Sequence, residues 1–197
     1  MSNFALKLKS MALTPTITIP LGFDAPAFSL TDVRSGKLMT FDDCKGIHGT
    51  LVIFICNHCP YVTHIIRPLV NIAAEYAARG IHTVAICSND EITYPQDGPD
   101  KMKLFALEQD FAFPYLHDAT QEVAKLYDAA CTPDLNVFDA KGKCVYRGQF
   151  DSSRPGNNLP VNGEDLRNTF ELLLQGKTIP EQGQRPSTGC NIKWKNA

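Results

Sequence analysis

The apolar positions of this chain change period several times, and each change marks an element. Leu51 to Ile55 (LVIFI) is an unbroken apolar run after His48-Gly49. Such a run suits a strand buried on both faces of a parallel sheet. From 59 to 79 the spacing becomes helical, with Val62, Ile65, Ile66, Leu69, Val70, Ala73 and Ala77 recurring at three and four, and Gly80 as a stop. Pro60 fits a first turn, whereas Pro68 predicts a kink, because it lacks an N–H and crowds the preceding turn. A second strand is expected over 81–87 (IHTVAIC), a short one over 113–116, and helices over 101–109, 121–129 and 164–175. Segments 135–138 and 144–150 read as a hairpin around Asp139-Ala140-Lys141-Gly142. Segments 27–30 and 38–41 flank Arg34-Ser35-Gly36 and predict an outer hairpin. Strand–helix alternation followed by a hairpin and a helix indicates an α/β protein with a mixed sheet.

Composition narrows the class. A length of 197 residues, 44% hydrophobic and 20% charged, fits one ordinary globular domain with insertions. Nineteen Lys and Arg against 21 Asp and Glu leave a net charge of −2, which provides no bulk attraction to nucleic acid or an anionic membrane. The N-terminal stretch MSNFALKLKSMALTPTITIPLG has no unbroken apolar run of signal-peptide length, and no segment approaches the roughly 18 apolar residues of a membrane span. Seven cysteines are too few for a secreted disulfide scaffold, and their number is odd. These features together predict a reducing, cytoplasmic setting, where a close cysteine pair points to catalysis or metal binding.

That pair is Cys56 and Cys59, in Ile55-Cys56-Asn57-His58-Cys59-Pro60, at the junction of a buried strand and a helix. Two cysteines three apart entering a helix come within disulfide reach, while the first remains at an exposed tip. Helix N–H groups and the positive end of the helix dipole favour a thiolate there. A protonated His58 would add to that effect. The thiolate attacks a disulfide, and the second thiol resolves the mixed disulfide. A pair of inert buried cysteines is the bland alternative. Zinc is disfavoured, because no second Cys-x-x-Cys or finger-spaced His pair supplies four ligands. Cu(I) or another soft ion held by the two thiols and His58 stays open as a different class of function.

The order strand, Cys-x-x-Cys-Pro, long helix containing a proline, then Thr132-Pro133 before a hairpin resembles the thioredoxin fold. More narrowly the chain resembles the alkyl hydroperoxide reductase / thiol-specific antioxidant (AhpC/TSA) family. The residues carrying this are Ala25-Pro26-Ala27-Phe28-Ser29-Leu30 with Asp32, CNHCPYV at 56–62, Ser88-Asn89-Asp90 with Tyr94-Pro95, Cys131-Thr132-Pro133-Asp134, Tyr146-Arg147-Gly148, Asp151-Ser152-Ser153-Arg154-Pro155 and Gly189-Cys190-Asn191-Ile192-Lys193-Trp194. The resemblance implies a central mixed sheet flanked by helices over 22–176, preceded by an N-terminal extension over 1–21 and an outer hairpin. It also implies two loop insertions, 88–100 and 151–163, and a C-terminal tail over 177–197 packed on the domain. It further implies a cis Thr132–Pro133 peptide facing the cysteines, where an incoming polypeptide pairs like an added strand.

Departures from the family choose among activities. Peroxide-reducing members carry Pro-x-x-x-Thr-x-x-Cys and an arginine. Here Val52 replaces the proline and Cys56 the threonine, which removes peroxide-orienting hydrogen bonds. Thiol–disulfide exchange is therefore expected ahead of a thiol-dependent peroxidase, for which Arg147 is the remaining cation. The buried acid of thioredoxins has no counterpart in LVIFI, which leaves water, His58, Glu75 or Asp134 to take the proton of Cys59. His58 resembles the histidine of a Cys-Pro-His-Cys branch of disulfide oxidants, and predicts a potential above thioredoxin's value of about −270 mV.

Cys131 and Cys190 are candidates for additional redox thiols, while Cys44, Cys87 and Cys144 read as small buried hydrophobes. The two insertions are expected to rim a substrate groove. The sequence thus predicts a cytoplasmic thiol–disulfide oxidoreductase in which Cys56 attacks, Cys59 resolves, His58 tunes, and Thr132-Pro133 docks the substrate. No cofactor is expected. The expected partners are a disulfide-bearing protein or a small thiol substrate, and a reductant system such as thioredoxin or glutathione.

Overall fold

The computed structural model describes residues 13–195. Residues 1–12, most of the expected N-terminal extension, lie outside them. The elements are β1 (Leu13–Pro15), β2 (Ser29–Asp32), β3 (Leu38–Thr40), α1 (Phe41–Cys44), β4 (Gly49–Phe54), α2 (Pro60–Ala77), β5 (Ile81–Cys87), a 3-10 turn (Pro95–Asp97), α3 (Pro99–Glu108), β6 (Tyr115–His117), α4 (Glu122–Leu126), β7 (Cys131–Thr132), β8 (Asp134–Asp139), β9 (Cys144–Gly148), α5 (Glu164–Leu174) and β10 (Thr188–Asn191). Seven strands form the main sheet in the order β3-β2-β6-β5-β4-β8-β9. β4 lies at its heart, parallel to β5 and antiparallel to β8. This is the mixed α/β sheet that the sequence predicts.

All six residues of β4 are buried, because helices or loops cover both sheet faces. The side-chain period of two then divides the run. Leu51, Ile53 and Ile55 join a core with α2, α3 and α5, while Val52 and Phe54 join a second core under α4 and the N-terminal segment. Each such fully buried aliphatic side chain contributes about 1.5–3 kcal/mol. α2 lays Val62, Ile65, Ile66, Leu69, Val70 and Ala73 onto the first core. Its apolar stripe ends on Tyr76 rather than Ala77, which is exposed. The helix runs through Pro68 without a break and stops before Gly80, whose φ of +83° reverses the chain.

Two regions depart from the sequence expectation. The outer strand over 38–41 ends at Thr40, because Thr40 and Asp43 form a reciprocal capping box that opens α1. A second, three-stranded sheet (β1-β10-β7) has no counterpart in the expected elements. Its strands are two to four residues long and gain their regularity from pairing partners more than 50 residues away. No described helix is long and apolar enough to cross a membrane.

Candidate active site

β4 delivers the chain to the edge of the sheet, where Ile55 still donates its N–H to Ile86. The next four residues turn into α2. Cys59 is the N-cap, its carbonyl accepting from Val62 and Thr63, and Pro60 occupies the first helical position, where its missing N–H costs nothing. The helix N-terminus therefore faces Cys59 more directly than Cys56.

The turn is held by Asp97, which is fully buried in the 3-10 turn of the first insertion. Its Oδ1 accepts the Asn57 N–H at 2.9 Å, and its Oδ2 accepts from Asn89 Nδ2 at 2.8 Å. His58 Nδ1 lies 2.7 Å from the same Oδ2, but without the alignment of a hydrogen bond. The His58 ring stacks on Tyr94 with centroids 5.7 Å apart and planes within 2°. Asn57 is locked from both ends, donating to the Gln96 carbonyl at 2.6 Å and accepting from the Tyr115 hydroxyl at 3.0 Å. Sequence reasoning did not single out Asp97. The only available signal was an acidic residue in an insertion that follows a sheet-edge strand.

Across the turn lies β7, and the Thr132–Pro133 peptide is cis. Thr132 Oγ1 is 3.4 Å from Cys56 Sγ, and its carbonyl oxygen is 3.1 Å from Cys59 Sγ, placed to accept from that thiol when it is protonated. Cys190, in β10, brings its sulfur to 2.9 Å from Cys59 Sγ. Three sulfurs thus meet beside the cis-proline, and all are buried: Cys56 is 1% exposed, Cys59 0% and Cys190 3%.

The placement corrects several expectations. Cys56 does not stand at an exposed tip, because β7 and the Asp97 turn enclose it. Its thiol is pushed well above the ordinary range by its hydrogen bond with Cys59, by burial and by the charge of Asp97. Negative charge is favoured on Cys59 instead. Hydrogen bonds from the Cys190 and Cys56 thiols hold it well below the ordinary range, against the opposing effect of burial. Sharing a proton with Cys59 and burial together push the Cys190 thiol up. The edge of β7, expected to dock a foreign strand, is occupied by β10 of the same chain, with Cys190 opposite Thr132 and Asn191 opposite Cys131.

Arg147 makes no contact with the sulfurs of Cys56, Cys59 or Cys190. It alternates with Tyr146 on β9, and its guanidinium donates to the carbonyls of Tyr127 and Asp128 and to Asn136 Oδ1, with Asp134 3.8 Å away. Asp134 is spent on that opposite face, and burial raises its carboxyl to about 6 in spite of Arg147. Glu75 pairs with Arg167 at the surface. Neither acid touches Cys59. Cys131 points away from its neighbour Thr132, its sulfur near Thr16 Oγ1 and the Pro133 carbonyl, and burial pushes its thiol up. The first insertion reaches the motif and the second reaches the helix that follows it. The first does so through Asp97, and the second through Ser153, whose hydroxyl is 3.0 Å from His64 Nε2 beside a cavity of about 20 Å³ that Pro133 also lines.

Among the described residues, Cys56, His58 and Asp97 place one metal-capable atom each within 4.8 Å of the others. One sulfur, one nitrogen and one oxygen fall a ligand short of a closed tetrahedral zinc site, and the carboxylate does not match a soft ion such as Cu(I).

A mixed sheet with a Cys-x-x-Cys turn, a long following helix and an opposed cis-proline defines a thioredoxin-fold protein. The family model described as "AhpC/TSA family" matches residues 21–147, and the chain belongs to that family. It is similar to an uncharacterized conserved protein from Geobacillus kaustophilus, at 50% identity and TM-score 0.93, over 95% of this chain and 99% of that one. It is also similar to a hypothetical protein from Sinorhizobium meliloti 1021, at 42% identity and TM-score 0.90, over 93% and 100% of the two chains. A putative thiol:disulfide interchange protein DsbE from Chlorobium tepidum shares the fold at 18% identity and TM-score 0.63, covering 80% of this chain and 99% of its own. No curated protein matches the chain.

Proposed function

We propose that this protein is a thiol–disulfide oxidoreductase whose redox pair is Cys56 and Cys59, acting through a mixed disulfide. The observation that carries the reading is the place of Cys59, at the cap of α2, with the Cys190 sulfur 2.9 Å and the Thr132 carbonyl oxygen 3.1 Å from its own and the cis Thr132–Pro133 peptide opposite. This position at the helix N-terminus, with the lowered Cys59 thiol and the raised Cys56 thiol, favours Cys59 as the attacking sulfur and Cys56 as a resolving thiol, the reverse of the order expected from sequence. His58 and Asp97 flank Cys56, each with a polar atom within 4.8 Å of its sulfur, and the charge of Asp97 opposes a thiolate there. The sulfurs are sealed at rest, so exchange with an outside disulfide proceeds through local opening of the segments that cover them. The substrates are disulfides on proteins or small molecules, and a thioredoxin- or glutathione-type system in the cytoplasm restores the thiols. Peroxide reduction is disfavoured, because Arg147 lies on the other face of the sheet with both terminal nitrogens already donating to other acceptors.

The test is trapping. The double variant Cys56→Ser/Cys190→Ser, challenged with a labelled disulfide, should retain a stable adduct on Cys59 by mass spectrometry. Adducts that accumulate only on Cys56, in Cys59→Ser/Cys190→Ser, would restore the opposite order. A wild-type protein that reduces no disulfide, with no adduct in either double variant, would end the reading.

A further inference from the structure

We propose that Cys190 is a third catalytic thiol: β10 holds it against Cys59 as a built-in resolving strand, so that oxidation yields a Cys59–Cys190 disulfide as an alternative to Cys56–Cys59. This rests on the exchange reading above, and extends it to a residue 131 positions along the chain from its partner.

Three independent features of the structure carry it. The first is the sulfur contact itself, 2.9 Å between Cys59 and Cys190, on the side of Cys59 that faces β10. The second is the register. β10 runs antiparallel to β7, with Cys190 directly opposite Thr132, the residue whose hydroxyl and carbonyl contact the two cysteines of the motif. Cys190 therefore occupies the place where a foreign strand would present its sulfur if it added to the same edge. The third is Gly189. A Cβ there would collide with the Thr132 carbonyl oxygen and approach its carbon to 2.7 Å, so only glycine lets β10 lie this close to β7. Substituting a larger residue would push the strand outward and carry Cys190 off Cys59.

The strand is also fastened on both sides of Cys190. Upstream, Ser187 donates through Oγ to the Gly148 carbonyl and accepts the Thr16 N–H. Downstream, Ile192 donates to the Ala130 carbonyl. The Lys193 carbonyl accepts from Asp90 N–H and Gln121 Nε2, and its N–H donates to Asn89 Oδ1. Such anchoring presents the Cys190 thiol to Cys59 at a high effective concentration, without the entropy cost of gathering a free tail.

The chemistry balances with a disulfide as oxidant. The Cys59 thiolate attacks R–S–S–R′, forms Cys59–S–S–R and releases R′–S⁻. Cys190 then attacks Cys59 Sγ, expels R–S⁻, and its proton passes to a leaving thiolate. Two protein thiols lose two electrons, and one substrate disulfide becomes two thiols.

The experiment is redox equilibration of the full-length protein with glutathione disulfide, followed by N-ethylmaleimide quenching and non-reducing peptide mapping. Cys56→Ser should convert to a protein with a Cys59–Cys190 linked peptide and no bound glutathione. Cys56→Ser/Cys190→Ser should keep glutathione on Cys59 at least tenfold longer. If Cys56→Ser instead stays glutathionylated on Cys59, with Cys190 free to alkylate, while the wild type forms Cys56–Cys59, the proposal for Cys190 fails and the exchange reading survives. If the wild type forms neither bond, both fail. Cys56→Ala provides the same measurement should the serine variant not fold, with circular dichroism as the check.

Discussion

Two consecutive residues of β7 face two kinds of buried polar chemistry. Thr132 looks toward Cys56 and Cys59, and Cys131 looks toward Thr16 on the side of the Asp134–Arg147 pair. On the Arg147 side a permanent charge is tied down by two carbonyls, an amide oxygen and a carboxylate. That arrangement holds a fixed charge in a single bonded state and reads as structure. On the Thr132 side the polar atoms are sulfurs that share protons, and one of them has two thiol partners. That arrangement has several states of comparable bonding, which is what exchange chemistry needs. Burial alone does not separate the two regions, since both are sealed. Convertibility of the buried groups does.

The contrast can be broken from either side. The largest effect belongs to Cys59→Ser, which should reduce disulfide reduction to the buffer background while leaving thermal stability close to wild type. Retained turnover would show that the charge on Cys59 is incidental. Arg147→Ala should do the opposite. It leaves Asp134 without its cation and three acceptors without their guanidinium donor in the interior, and should cost about 3–5 kcal/mol in urea unfolding. The folded fraction should still exchange at the wild-type rate, and a specific loss of exchange would return Arg147 to the site.

Asp134 sharpens the structural side through pH. Burial raises its carboxyl from the ordinary value to about 6. The folded state then binds a proton that the unfolded state releases near pH 4, so stability is full below pH 4 and falls as pH rises through 6. The loss is on the order of 3 kcal/mol. Urea unfolding between pH 4 and 7 should show that decline in the wild type and a flatter profile in Asp134→Asn. Equal slopes would mean that Asp134 is not the titrating group.

Gly189→Ala comes next. The collision with the Thr132 backbone should cost about 1–3 kcal/mol and lower the yield of the Cys59–Cys190 bond relative to Cys56–Cys59. An unchanged ratio would show that the strand position is not what selects the partner. The smallest effect is that of Asp97→Asn. Removing a negative charge beside Cys56 should move the pH midpoint of its alkylation downward, measured in Cys59→Ser, whereas an unchanged midpoint would assign the shift to burial alone.

Much of the fold was legible because it rests on short-range pattern. LVIFI, the helical spacing from Val62 to Ala73, and IHTVAIC each announce their own element, and all three sit where the periodicity places them. The motif Cys56-x-x-Cys59 was legible for the same reason, since its spacing carries its chemistry. The state of the sulfurs was not. An exposed Cys56 is the natural expectation for a strand–helix turn considered alone, but the turn is covered by Asp97, 41 residues on, and by β10, more than 130 residues on. The assignment of Arg147 failed on parity. One residue along β9 decides which face of the sheet a side chain meets, and the hairpin register was not readable from its turn.

The sequence by itself determined the class of elements, the mixed sheet and the presence of a thiol pair at a helix start, because periodicity and spacing are local quantities. Only the tertiary structure decided how the sulfurs are enclosed and which third sulfur joins them. Those outcomes depend on desolvation and on hydrogen bonds between atoms that no local pattern brings together: a buried carboxylate from an insertion, a cis-proline backbone, and a glycine that admits the chain's own last strand to the edge beside Cys59.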